Sequence, residues 1–140
     1  MSKCWYEDIH EMHTKYGVHE WVKNNPEKLK QFLEFRFAFL NEELTEGTEA
    51  MVRGDNEEIV DAMIDLCVVA IGTLDAFGVD AGKAWDQVHK ANMAKEVGVK
   101  ASRPNKIGLP DLIKPTMETH GYDWVGPDHT GNHGVLPGKE

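Results

Sequence analysis

The sequence predicts an all-α protein, four helices packed as a bundle and followed by a long irregular tail. Three observations carry that expectation. Apolar residues recur at three- and four-residue intervals from Trp5 to about Glu96. Gly17, Gly54 and Gly78 punctuate those intervals where helices stop. No run alternates apolar and polar residues as a half-buried strand does, so no sheet is expected.

Each element follows from local signals. Trp5, Ile9, Met12 and Tyr16 place a first helix from Ser2 to about Tyr16, with Gly17 as its stop. A turn-rich link follows, with one helical turn around His19 to Val22. Asn25 as N-cap, Pro26 at the first helical position and Glu27 at the positive dipole end open the second helix. Leu29, Phe32, Leu33, Phe39, Leu40 and Leu44 carry it to about Val52, and its aromatics occupy more than one face. Gly54 suits its C-cap, and Asp55 or Asn56 the next N-cap.

The third helix, about Glu57 to Phe77, is apolar nearly all round after Asp65, which makes its second half central. Gly78-Val79-Asp80 stops it and caps a fourth, Ala81 to about Glu96, where Trp85 reads as a core residue. Residues 99–140 hold five of the six prolines and read as extended chain with one short helical turn. Tyr122 and Trp124 in that stretch mark an ordered contact. The expected division is a helical domain, residues 1–98, with 99–140 as a lid or oligomer arm rather than a second domain.

The chain has 140 residues, 41% of them apolar, and a net charge of -9, which excludes a disordered chain. A broad basic surface for nucleic acid is excluded too. The N-terminus carries no secretory leader and no window is apolar enough to span a bilayer, so a cytoplasmic protein without membrane or nucleic-acid partners is expected. Cys4 and Cys67 stand too far apart in sequence to suggest a metal motif and read as structural.

The charge is local. Between Glu42 and Asp65 stand nine acids and one base, Arg53, so this stretch holds eight of the nine excess negative charges. Glu42 and Glu46 are four apart, and Glu43, Glu46 and Glu49 are three apart, all spacings of one helix face. Glu58, Asp61 and Asp65 form a second stripe on the next helix. A short turn at Gly54 makes the two helices antiparallel neighbours, and Glu43 and Asp65 each lie eleven residues from it. Two facing acid stripes repel, and a hard divalent cation such as Mg²⁺ offsets that repulsion while holding substrate phosphates. Glu42 to Glu49 alone would pass for a solvated face. Asp61 and Asp65 within an apolar helix argue for ligands, because Asp is rarely buried unpaired.

Glu42-Glu43-x-x-Glu46 followed by Glu58-x-x-Asp61-Ala-Met-Ile-Asp65-Leu-Cys-Val-Val resembles the all-α nucleoside triphosphate pyrophosphohydrolases. That group includes MazG, dimeric dUTPases and phosphoribosyl-ATP pyrophosphohydrolase. Met12-His13-x-Lys15-Tyr16-Gly17, Gly72-Thr73-Leu74-x-Ala76-Phe77-Gly78-Val79-Asp80 and Val88-His89-x-x-Asn92-Met93-x-Lys95 resemble further stretches of the MazG-like branch. With its Pro-rich tail the chain looks most like phage-encoded MazG. One departure stands out: the residue three before Asp65 is Ala62, so the acid is either Asp61, four back, or the pair slides to Glu58-x-x-Asp61.

The resemblance implies hydrolysis of a nucleoside triphosphate, ribo or deoxy, to the monophosphate and pyrophosphate. It implies Mg²⁺, with Mn²⁺ as substitute, on Glu43, Glu46, Asp61 and Asp65. Glu42, Glu43 and Glu58 become the candidates for activating water. Asn92 and Lys95, with His13 and Arg103, become substrate contacts, and a homodimer or homotetramer is expected. Two other readings compete. Glu7-x-x-His10 and Asp86-x-x-His89 imitate a carboxylate di-iron bundle, although one pair uses Asp. An acidic helical interaction protein, such as a DNA mimic, would spread its acids beyond residues 42–65.

Overall fold

The computed structural model describes residues 4–138 and is mostly helical. Six α-helices stand among the described residues: α1 Trp5–Lys15, α2 Val18–Asn24, α3 Leu29–Arg53, α4 Asn56–Ala76, α5 Ala81–Met93 and α6 Met117–His120. The chain divides into two compact units. One holds the described residues through Ala81 together with those from Gly131 onward, and the other is Gly82–Thr130.

In the first unit α3 and α4 form an antiparallel hairpin, with α1 and α2 against α4. Gly54 adopts φ 73° and its neighbour Asp55 donates its N–H to Ala50 O at 2.9 Å, closing α3. Asp55 then caps α4 by accepting from the Glu58 N–H at 3.1 Å. The hairpin register is symmetric about Gly54. A Cβ on Gly47 would stand 3.3 Å from Ala62 Cβ, Arg36 bonds Thr73, and the Phe32 and Phe77 rings lie 5.4 Å apart. Partners in each pair lie at nearly equal sequence distance from Gly54, as the position of the turn required.

The start of α3 departs from expectation. Residues Pro26–Lys28 form a 3₁₀ turn and the α-helix begins at Leu29. Asn25 does not cap it. Its side-chain amide donates backward to Trp21 O at 2.8 Å, so it closes α2 instead.

Phe77 is fully buried with Val22 and Leu29, and Phe32, Leu33 and Leu136 pack around them. Leu136 arrives from the C-terminal stretch. Asn132 fixes that stretch by accepting from the Asp80 N–H at 2.8 Å and donating to Asp80 O at 2.9 Å. The Val135 N–H donates to Phe77 O at 2.8 Å. Gly134, at φ 53°, lies so close that a Cβ there would meet Phe77 O at 2.0 Å. This part of the expected tail is therefore built into the first unit.

The second unit contains a ladder that the sequence did not signal. Strands β1 Glu96–Gly98 and β2 Asp111–Ile113 pair antiparallel, with Val97 opposite Leu112. Three-residue strands are too short to establish an alternating pattern. Gly98 makes the pairing possible, because a Cβ there would lie 2.8 Å from Ile113 Cδ1. Helix α6 supplies the expected helical turn, capped by Thr116 and Thr119. The Trp124 indole N–H donates to Ala91 O at 2.7 Å, giving the ordered contact expected near Tyr122 and Trp124. Trp85 is 68% exposed and does not enter a core: the side of α5 that is buried presents Ala91 instead.

Candidate active site

The α3–α4 register brings Asp61 and Asp65 of α4 within electrostatic reach of Glu43, which stands beside Glu46 on α3. Glu43 is the buried member, 9% exposed, on the α3 face that also buries Gly47 and Ala50. Its Oε2 has no hydrogen-bond partner. Burial pushes the Glu43 carboxyl above its ordinary range, and Glu46, Asp65 and Asp61 push it the same way. Burial also raises Asp65, with Asp61 adding both its charge and a shared hydrogen bond. Four carboxylates thus act on one another across the hairpin.

An orphaned buried carboxylate oxygen surrounded by three further acids is a poor structural device. Desolvation and like charge both disfavour it, and each is relieved by a cation. The donor set is all oxygen, which suits a hard ion such as Mg²⁺ rather than a thiophilic one. The residues present therefore fit a divalent metal. Glu42 is exposed on α3, while Glu58 is half-buried in the first turn of α4.

Deeper along the same hairpin lies Arg36, to which the sequence pattern assigns no role. Its Nε donates to Thr73 Oγ1 at 3.0 Å and its Nη2 to Val69 O at 2.9 Å. Burial lowers its proton affinity, though an Arg stays charged. A Cβ on Gly72 would sit 2.7 Å from Arg36 Nη2, so glycine makes room for the guanidinium. The available signal was Arg36 seven residues before Glu43, on the same helix face and flanked by Phe35 and Phe37.

His13 belongs to a different cluster. It is 4% exposed and its Nδ1 lies 2.9 Å from Asp75 Oδ2. His19 Nε2 meets the same oxygen at 2.8 Å, and His10 Nδ1 meets Oδ1 at 2.8 Å. Burial pushes the Asp75 carboxyl up, but the hydrogen bonds from His10, His19 and His13 outweigh it and hold it below the usual carboxylate range. Burial lowers His13, outweighing Asp75, so the ring favours its neutral form. The three histidines come from two short helices and the acid from the end of α4, a convergence that no local spacing announces.

The remaining candidates lie in the second unit. Asn92 is exposed near the end of α5. The Lys95 ammonium sits 5.6 Å from the Trp124 ring centre, with Lys114 at 4.7 Å. Arg103 Nη2 donates to Asp111 Oδ1 at 2.6 Å. The Leu112 N–H and then Arg103 hold the Asp111 carboxyl below its ordinary range.

A family model described as phosphoribosyl-ATP pyrophosphohydrolase matches residues 18–92, more than half of the chain. No curated protein and no solved structure matches it significantly. The matched span contains all of α3 and α4, and so all four facing carboxylates.

Proposed function

The chain belongs to the phosphoribosyl-ATP pyrophosphohydrolase family, within the MazG-like all-α pyrophosphatases, and on that premise we propose that it hydrolyses a nucleoside 5′-triphosphate, ribo or deoxy, to the monophosphate and pyrophosphate. The family implies pyrophosphohydrolase chemistry on a nucleotide phosphoanhydride. The observation that supports placing it on the hairpin is the buried, unpartnered Glu43 Oε2 among Glu46, Asp61 and Asp65.

In this reading Glu43, Glu46, Asp61 and Asp65 hold Mg²⁺, with Mn²⁺ able to replace it. The bound ion would neutralise the triphosphate and lower the proton affinity of a water. Water adds at the α-phosphorus and pyrophosphate leaves. Glu42, Glu43 and Glu58 are the candidates to accept the water's proton. Asn92 and Lys95 supply substrate contacts. Arg103 joins them only by leaving Asp111, and His13 only by leaving Asp75.

The family match itself favours a second substrate, phosphoribosyl-ATP, whose triphosphate offers the same bond. Both readings are tested together. The protein is incubated with each NTP, each dNTP and phosphoribosyl-ATP, with Mg²⁺ or with EDTA, and pyrophosphate and orthophosphate are measured. Pyrophosphate from a nucleoside triphosphate, abolished by EDTA, supports the first reading. Turnover of phosphoribosyl-ATP alone selects the second, and orthophosphate alone sinks both.

The Pro-rich stretch and the N-terminal motif support a phage-encoded MazG-like enzyme of the host cytoplasm, with residues 1–98 as the catalytic domain and 99–140 as its tail. We also read the protein as a homodimer or homotetramer. Phe37, Leu44 and Met51 lie seven apart on α3 and are each more than half exposed, and Val60, Met63 and Ile64 are exposed on α4. Such a stripe on a hairpin suits a second copy. Light scattering that gives a monomer mass at micromolar concentration would remove that reading.

A further inference from the structure

We propose that His10 Nδ1, His19 Nε2 and the Asp75 carboxylate bind one borderline transition-metal dication, of the zinc class, at a site separate from the acidic hairpin. The ligand atoms of these three residues lie within 4.8 Å of one another. Tetrahedral zinc, with bonds of ~2.0–2.2 Å, needs its donors ~3.3–3.6 Å apart. His10 Nδ1 and Asp75 Oδ1 now stand at 2.8 Å, and His19 Nε2 and Asp75 Oδ2 at 2.8 Å. Opening each contact by about half an ångström, a small ring rotation, makes room for the ion. The His10 and His19 rings already lie close, with centroids 4.6 Å apart.

The supporting shell is present. His13 is buried and its Nδ1 bonds Asp75 Oδ2 at 2.9 Å, which orients the carboxylate without needing to ligate. The site opens on a cavity of about 450 Å³ whose walls include Tyr6, Glu7 and Asp80. Three protein ligands beside an open cavity leave a coordination position for water or another ligand. Asp75 lies ten residues beyond Asp65 on α4, about 15 Å along the helix axis, so the two sites do not share a ligand. Their chemistry separates them as well. Two imidazoles and one carboxylate favour zinc-class ions, whereas an all-oxygen set favours Mg²⁺. This proposal stands independently of the hydrolase reading.

The tautomers follow from the ligand atoms. Metal on His10 Nδ1 and His19 Nε2 puts the ring protons on His10 Nε2 and His19 Nδ1, while His13 keeps its proton on Nδ1 toward Asp75. The test uses the full chain stripped with EDTA and then held in millimolar Mg²⁺ to fill the hairpin. Zn²⁺ affinity is measured by competition with a chromophoric chelator, and histidine side-chain nitrogens are followed by NMR. One Zn²⁺ per chain is expected, with those two tautomers. His10→Gln and His19→Gln should each weaken it at least ~100-fold, since even a supporting partner's loss costs ~10–100-fold. Glu46→Gln and Asp65→Asn should leave it unchanged. His10 is largely exposed, so its variant is expected to keep the helical circular dichroism of the wild type. Unchanged Zn²⁺ binding in His10→Gln and His19→Gln overturns the site, as does loss of binding in Glu46→Gln or Asp65→Asn. In the wild type itself, histidine resonances that ignore Zn²⁺ overturn it without any variant.

Discussion

Two carboxylate clusters share the first unit and are tuned in opposite directions. At the hairpin, burial and neighbouring acids raise Glu43 and Asp65. At the other end of α4, three imidazoles outweigh burial and lower Asp75. Asp65 and Asp75 stand on the same helix, α4, so the company that each acid keeps decides the sign. The hairpin holds charge that its own residues do not neutralise. The Asp75 cluster already satisfies its carboxylate with ring N–H groups. Repulsion in an apo protein marks a place that waits for cations, whereas mutual satisfaction marks one whose default state is closed.

The largest test of that contrast is catalytic. Glu46→Gln and Asp65→Asn are each expected to lower the rate of pyrophosphate release at least ~100-fold, because loss of a direct metal ligand exceeds the ~10–100-fold cost of losing an outer partner. His10→Gln, which acts on the other cluster, should retain most of the activity. Equal losses in all three would merge the clusters into one functional unit.

A smaller effect should appear in stability, with opposite signs. Asp75→Asn removes the charge and leaves a single acceptor oxygen where two now serve three histidines, one of them buried, and is expected to destabilise by ~1–3 kcal/mol. Glu43→Gln in EDTA should instead stabilise by about 1 kcal/mol, raising Tm by ~3–5 °C, since it removes a repelled charge. Thermal unfolding followed by circular dichroism reads both. A fall in Tm for Glu43→Gln in EDTA would show that repulsion at the hairpin is negligible.

Acidity gives a third comparison. A carboxyl raised on folding binds its proton more tightly folded than unfolded, so Glu43 and Asp65 cost stability as pH climbs through the carboxylate range. Asp75 is lowered on folding, so its contribution is full above that range and fades as pH falls through the folded value. His13, also lowered, costs stability as pH drops through the ordinary histidine range. In EDTA, the gain from Glu43→Gln should therefore grow as pH climbs through the carboxylate range. The loss from Asp75→Asn should be greatest at neutrality and shrink in acid. Parallel profiles for the two variants would contradict the opposite tuning.

A stability effect of similar size is expected between the clusters. Gly72→Ala places a methyl against the Arg36 guanidinium and the His13 ring. Because Arg36 is held by two hydrogen bonds, adjustment should cost about 1–2 kcal/mol. Urea unfolding measures it, and an unchanged midpoint would mean that Arg36 shifts freely.

The hairpin was legible in the sequence because its information is local. Gly54 and Asp55 fix the turn, and helical spacing then fixes which acids share a height. The same counting aligns Phe32 with Phe77, far from the turn. The histidine cluster was not legible, because His10, His19 and Asp75 meet only through packing of three helices. Arg36 looked like a cation on an aromatic helix, and nothing in spacing says that it reaches Thr73. Asn25 misled for a simpler reason: its side chain had two backbone ends within reach and took Trp21 O. The β1–β2 ladder is fixed by Gly98 under Ile113, a long-range fit between two stretches too short to show a period.

The Asn132 clasp on Asp80 has a consequence for biosynthesis. Its two halves are 52 residues apart in sequence. At a translation rate of roughly 5–20 residues per second, the ribosome needs ~3–10 s after making Asp80 to deliver Asn132. Throughout that interval the nascent chain carries Phe77 without Leu136 beside it. The side of the Phe77 cluster that Leu136 covers is then open to chaperones and to neighbouring chains, so yield of soluble protein should depend on how quickly that interval is crossed.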